Sequence, residues 1–126
     1  MTEIQALLLI KSILESADIH GIEHTLSEDC EYMSTGRGII GRNRNETVEF
    51  LSSMTESIKA DNVPVTCKVM HITDVYEEDA LFHEGRHGLT VSYESGDNYV
   101  YMIFVDVNDE GLVDRIVSSQ ENYSIE

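Results

Sequence analysis

The sequence predicts a single α+β domain with its helices early and an antiparallel sheet late, on three observations. Apolar residues recur at helical spacing in the first half, β-branched and aromatic residues dominate from Val65 onward, and the late segments are divided by the turn-forming runs EED, ESGD and NDEG. Helices segregated from hairpin-linked strands pack as α+β rather than as alternating βαβ units. At 126 residues, with no Pro/Gly/Ser-rich linker and no internal repeat, the chain is read as one domain over residues 1–126.

Thr2 and Gln5 have the spacing of a capping box, and Ile4, Leu7, Leu8, Leu14 and Ala17 share a broad stripe, so a first helix is predicted over residues 3–17. Asp18 is placed to cap a second, shorter helix to about Leu26, after which Ser27, Glu28 and Asp29 read as a turn into a strand over residues 30–34. Asn43 or Asn45 caps a third helix with Val48, Leu51, Met54, Thr55 and Ile58 on one face, and Pro64 forbids its continuation. Four strands over residues 65–76, 80–94, 98–107 and 112–121 then form a meander, and residues 122–126 are expected to fray.

The run GRGIIG at residues 36–41 fits the G-x-G-x-x-G fingerprint of a dinucleotide site, with Asp61 twenty positions beyond Gly41. That site needs a parallel strand after its helix, whereas here the helix leads into hairpins, and Ile39-Ile40 read as a short strand. The glycines are therefore assigned to chain direction: Gly36 and Gly38 turn the chain, Ile39 and Ile40 tuck into the core, and Gly41 releases it into the next helix.

Twenty-four acidic residues against eight basic ones give a net charge of −16, which repels phosphate backbones and anionic lipid. The local basic group Arg37, Arg42 and Arg44 is offset by Glu46 and Glu49, so no nucleic-acid partner is predicted. The apolar run at residues 6–10 has no basic residue before it and charged residues soon after, so no membrane association and a cytoplasmic location are expected. Cys30 and Cys67 lack C-x-x-C spacing and read as buried free thiols.

No metal or other cofactor is predicted. His20-Gly-Ile-Glu-His24 has H-x-x-E-H spacing, but Gly21 weakens the helix and no third ligand is evident. Asp106, Asn108, Glu110 and Gly111 imitate a calcium loop, yet its twelfth position would be Val117, and a hairpin turn explains them better. His83 and His87 would lie roughly 13 Å apart on a strand, too far to share one ion.

The segment DIHGIEHTLSEDCEYMSTGRGIIGRNRNETVEFL, with its capped short helix, Ser-Glu-Asp turn, strand and Gly-Arg before the next helix, resembles the opening of the NTF2-like superfamily. That superfamily includes SnoaL-like cyclases and ketosteroid isomerases, and the late meander ending in NDEGLVDRI extends the resemblance over nearly the whole chain. It implies a cone: three N-terminal helices inside a strongly curved, mainly antiparallel sheet, an apolar interior pocket, and a homodimer through the outer sheet face. Val100, Met102 and Phe104 alternate with Tyr99, Tyr101, Ile103 and Val105, so both faces of that strand need covering.

Matched to the ketosteroid isomerases, the aspartate base falls on Ser34, the late aspartate on Ile103 and the helix tyrosine on Ile13, so all three functional groups of that activity are missing. The dehydratases of the superfamily suggest another arrangement, with His83 as a base and Tyr32 and Tyr101 as donors to a carbonyl. His83 and His87 share a face with Leu81, Leu89, Val91 and Tyr93 if the alternation is regular, although Gly85 or Gly88 could mark a bulge. The plainer reading makes these residues ordinary members of a packed or dimeric surface.

Tyr32, Ser34, His83, Tyr101 and Ile103 are thus the candidate lining of a pocket for a small, mostly apolar molecule, with His83 and Tyr32 the candidate catalytic residues. The function expected is a small-molecule binder or a cofactor-free isomerase, cyclase or dehydratase, and whether it is an enzyme is left open. The alternative is a non-catalytic association module, which a solid interior packed by Tyr32, Phe50, Phe82 and Tyr101 would favour.

Overall fold

The computed structural model describes residues 1–19, 21–62, 64–75, 86–93, 99–119 and 123–125. In chain order these form α1 (Glu3–Ser16), a short 3-10 helix (Ile22–Thr25), β1 (Leu26–Ser34), β2 (Gly38–Gly41), α2 (Arg44–Asp61), β3 (Val65–Val75), β4 (His87–Tyr93), β5 (Tyr99–Val107), β6 (Val113–Ser119) and β7 (Tyr123–Ile125). No helix among the described residues is long and apolar enough to cross a membrane.

Both long helices are bounded by local chemistry. The Thr2 hydroxyl accepts the Gln5 N–H and the Gln5 side chain accepts the Thr2 N–H, closing the capping box at the start of α1. Asn43 accepts the Glu46 N–H at 2.9 Å to open α2, whose far end turns at Asn62 in the left-handed region, two residues before Pro64. Buried Ala6, Leu7, Ile10, Ile13 and Leu14 are the inner stripe of α1, while Thr47, Leu51 and Thr55 are that of α2.

The strands form one mixed sheet in the order β2-β1-β6-β5-β4-β3-β7. β3 to β6 are the antiparallel meander, and β1 joins it by pairing parallel to β6. Register shifts interrupt β1 on both of its edges and β6 against β5, the kind of irregularity that lets a sheet curl. α1 packs on β3, β4 and β5 and α2 on β1 and β2. The resulting core joins Leu7, Leu14 and Leu51 to Tyr32, Val91, Ile103 and Ile116. On the opposite face a smaller cluster gathers Met102, Phe104 and Val117, flanked by partly buried Met33 and Met70.

Several expectations are corrected. The second of three predicted N-terminal helices is only the four-residue 3-10 helix, because Gly21 before it takes φ +83° and breaks the run from Asp18. Residues 27–29 are not a turn but part of β1, which starts at Leu26. The expected frayed tail contains β7, which pairs antiparallel with β3.

Gly88 marks no bulge, since the pairing of β4 with β3 runs unbroken past it; a Cβ there would lie 3.0 Å from the Phe104 ring, so the glycine makes room for that ring. Ile39-Ile40 do lie in a strand, but only Ile40 packs on the core, and Ile39 is 48% exposed at the sheet's edge. Residues 76–85, which include His83, Gly85, Leu81 and Phe82, and residues 94–98 lie outside the described residues.

Candidate functional site

A cavity of about 700 Å³ opens between α2 and the inner face of the sheet. Its walls come from five elements and a turn. β1 contributes Tyr32 and Ser34, two apart and hence on one face; the turn adds Thr35, Gly36 and Arg37; α2 adds Phe50 and Met54, one helical turn apart; β4, β5 and β6 add Tyr93, Tyr101, Ser118 and Ser119.

The parallel register brings the two ends of the chain together here. Ser34 lies beside Ser118, the Thr35 N–H donates to the Ser118 carbonyl at 3.1 Å, and the Thr35 and Ser119 hydroxyls are 3.5 Å apart. Deeper in, the Tyr32 ring meets Phe50 with centroids 4.5 Å apart, and its hydroxyl points at the Met54 sulfur at 3.9 Å. Tyr32 is 1% exposed. The hydroxyls of Tyr93 and Tyr101 are hydrogen-bonded at 3.0 Å.

Burial pushes the Tyr101 phenol well above the ordinary tyrosine value, with neighbouring Tyr93 adding to the effect. At neutral pH Tyr101 is therefore a hydrogen-bonding phenol and not a base. The described wall carries six hydroxyl-bearing side chains besides Tyr101 (Tyr32, Ser34, Thr35, Tyr93, Ser118 and Ser119) and one charge, Arg37, but no carboxylate or imidazole. Such a surface can orient a carbonyl, ether or acid by hydrogen bonds over an aromatic and thioether floor; within the described residues it offers no group to remove a proton at pH 7.

The structure thus brings Tyr32, Ser34 and Tyr101 together. Ile103 sits apart from the wall, fully buried in the core, as does Ile13. His83 lies outside the described residues. His87, six residues before Tyr93 on β4 and so about 20 Å from it along the strand, is bound instead to α1: its backbone N–H donates to Glu3 at 3.0 Å and its Nδ1 is 3.3 Å from the same carboxylate.

Sequence reasoning missed Thr35, Arg37, Phe50, Met54, Tyr93, Ser118 and Ser119 as wall residues. The parity of β4 was a usable signal for Tyr93, since it shares the inner face with Leu89 and Val91. The i, i+4 spacing of Phe50 and Met54 was another.

No group of three metal-binding side chains occurs among the described residues. His20 is outside them, and His24 is exposed. Asp106 is in β5, and Asn108 to Gly111 form the expected turn, with the Asn108 side chain accepting the Glu110 and Leu112 N–H groups, both at 3.0 Å, and Gly111 at φ +78°. Cys30 and Cys67 are free and buried, and burial raises their thiols to about 12 and about 11.

No protein-family model matches the chain, and no curated protein does. Solved structures do match. An LEH-like epoxide hydrolase of M. tuberculosis is 17% identical with a TM-score of 0.60, the match covering 97% of this chain and 82% of that one. An NTF2-like protein of unknown function from Cytophaga hutchinsonii is 11% identical at 0.61, covering 94% and 98%. The epoxide hydrolase/cyclase-like enzyme SalBIII, of pyran ring formation in the polyether salinomycin, is 14% identical at 0.59, covering 98% and 95%. The chain therefore has the NTF2-like fold, over nearly its whole length.

Proposed function

We propose that this protein holds a small, mostly apolar molecule in its interior cavity, orienting one polar group of it against the tyrosine hydroxyls. The observation that carries this reading is the open space itself. About 700 Å³ beside Tyr32, Phe50 and Tyr101 is within the usual range for small-molecule sites, roughly 300–1,000 Å³.

A second reading, a cofactor-free isomerase, cyclase or dehydratase, is favoured by two of the matched structures being described as an epoxide hydrolase and an epoxide hydrolase/cyclase-like enzyme. In that reading the Tyr93–Tyr101 pair polarises a carbonyl or ether oxygen by donating to it, and His83 is the candidate for the missing base. Pairing of two copies through the outer sheet face belongs to this proposal as what the fold implies, while Met102, Phe104 and Val117 on that face are already buried within the single chain.

Native mass spectrometry of the purified protein tests binding and assembly together. The expected result is a dimer carrying a small molecule, with Tyr101→Phe and Tyr32→Phe each weakening retention by about two- to tenfold, the worth of one hydrogen bond. A strictly monomeric species refutes the dimer. Unchanged binding in both variants removes the tyrosines from the site, and a protein that neither retains nor takes up any small molecule returns the choice to the association module.

A further inference from the structure

The chemistry of the cavity's rim narrows the kind of molecule it takes. Arg37 is the one charged side chain on the described wall of the cavity, in a chain with a net charge of −16. Lys11, Arg86 and Arg115 are engaged with carboxylates at 3.3, 2.9 and 3.3 Å, whereas Arg37, like Arg42, Arg44, Lys59 and Lys68 away from the cavity wall, makes no ion pair among the described residues. It is exposed on the turn after β1, and its backbone N–H is fixed to the Ser34 carbonyl at 3.2 Å, so the side chain starts from a defined point at the rim.

Ser34, Thr35, Ser118 and Ser119 line the same cavity, and of their hydroxyls that of Thr35 donates to Ser119 at 3.5 Å. Opposite them, Phe50 and Met54 present an apolar surface. No carboxylate stands on the described wall beside Arg37.

We infer that the molecule held here is an apolar monocarboxylic acid, its carboxylate at Arg37 and the serine and threonine hydroxyls, its hydrocarbon or aromatic body against Phe50, Met54 and Tyr32. This rests on the reading of the cavity as a small-molecule site, and specifies its ligand class. A guanidinium matches a carboxylate with two parallel N–H donors, which an uncharged polar end group cannot use.

The test uses two probes of one skeleton, 4-phenylbutanoate and 4-phenylbutan-1-ol, titrated by calorimetry or NMR into the full-length protein and into Arg37→Gln and Arg37→Lys. The wild type is expected to bind the acid about tenfold more tightly than the alcohol, a difference of about 1.4 kcal/mol. Arg37→Gln abolishes the preference by weakening the acid alone, and Arg37→Lys keeps part of it; undiminished binding of the alcohol shows that the variants are folded. Equal binding of both probes to the wild type, or a preference that survives Arg37→Gln, overturns the inference while leaving the cavity reading in place. Binding of neither probe overturns both.

Discussion

Replacing Gly41 by alanine measures how closely α2 is docked on the first hairpin. An added Cβ would lie 2.9 Å from the Thr47 hydroxyl, 3.0 Å from the Thr47 nitrogen and 3.1 Å from its Cα. Two of these three atoms are backbone of the first turn of α2, whose Thr47 N–H is bonded to the Asn43 carbonyl at 2.9 Å. The hydroxyl cannot swing aside freely, because Thr47 is fully buried and donates to the Cys30 carbonyl at 2.9 Å. Gly41 is not among the positive-φ glycines, so alanine suits its backbone and would gain about 0.4–1 kcal/mol by restricting the unfolded chain.

Against that gain stands overpacking of about 1–3 kcal/mol, and a further ~1–3 kcal/mol if the Thr47–Cys30 bond breaks and leaves the carbonyl unpaired. The net expectation is a loss of about 2 kcal/mol, read as a lower urea midpoint at unchanged slope. Adding Thr47→Ala removes the hydroxyl contact but not the two backbone contacts, so the double variant should not recover wild-type stability. A Gly41→Ala protein as stable as wild type or more so would refute the claim that this glycine is required by the approach of the helix.

The remaining predictions concern α1 and the two thiols. Glu15 accepts the Cys67 N–H at 3.0 Å while Lys11 donates to the Cys67 carbonyl at 2.8 Å, and the bond from Cys67 chiefly, with Lys11 helping against the opposing effect of burial, lowers the Glu15 carboxyl below its ordinary value of 4.5. A lowered carboxyl stabilises the fold above 4.5 and loses that contribution as pH falls through its lower folded value, so the stability advantage over Glu15→Gln is full at neutral pH and shrinks on acidification; urea midpoints of the two proteins across pH check this, and an advantage that grows in acid refutes it. With thiols raised to about 12 and about 11, Cys30 and Cys67 should react slowly with iodoacetamide at pH 8 in the native protein and rapidly in urea, by mass spectrometry; equal rates would refute their burial.

The parts of this fold that were legible in the sequence are those decided within a few residues. The Thr2–Gln5 box, the Asn43 cap, the stop before Pro64 and the turn at Asn108 are local chemistry, and each stands where its residue types put it. The length of the stretch after Asp18 was not, because a glycine such as Gly21 permits the left-handed conformation that breaks the run without requiring it. Nor was β7, whose three residues gain a partner only from the far end of β3. For the site, alternation along β1 sufficed to pair Tyr32 with Ser34, and Arg37 follows on the next turn, but Ser118 and Ser119 join them only through the parallel β1–β6 register, a pairing that no neighbouring residues encode.

That register also sets when the cavity can come into being. Thr35 and Ser119, which meet across the wall, are 84 positions apart in the chain. At a synthesis rate of about 5–20 residues per second the first waits roughly 4–17 s for the second to be made. During that interval β1 has β2 on one edge and nothing from β6 on the other, so its open edge is a hazard of the nascent chain that disappears in the finished protein. A chain stalled on the ribosome before Val113 would carry Tyr32, Ser34 and Arg37 without the serines that complete their wall.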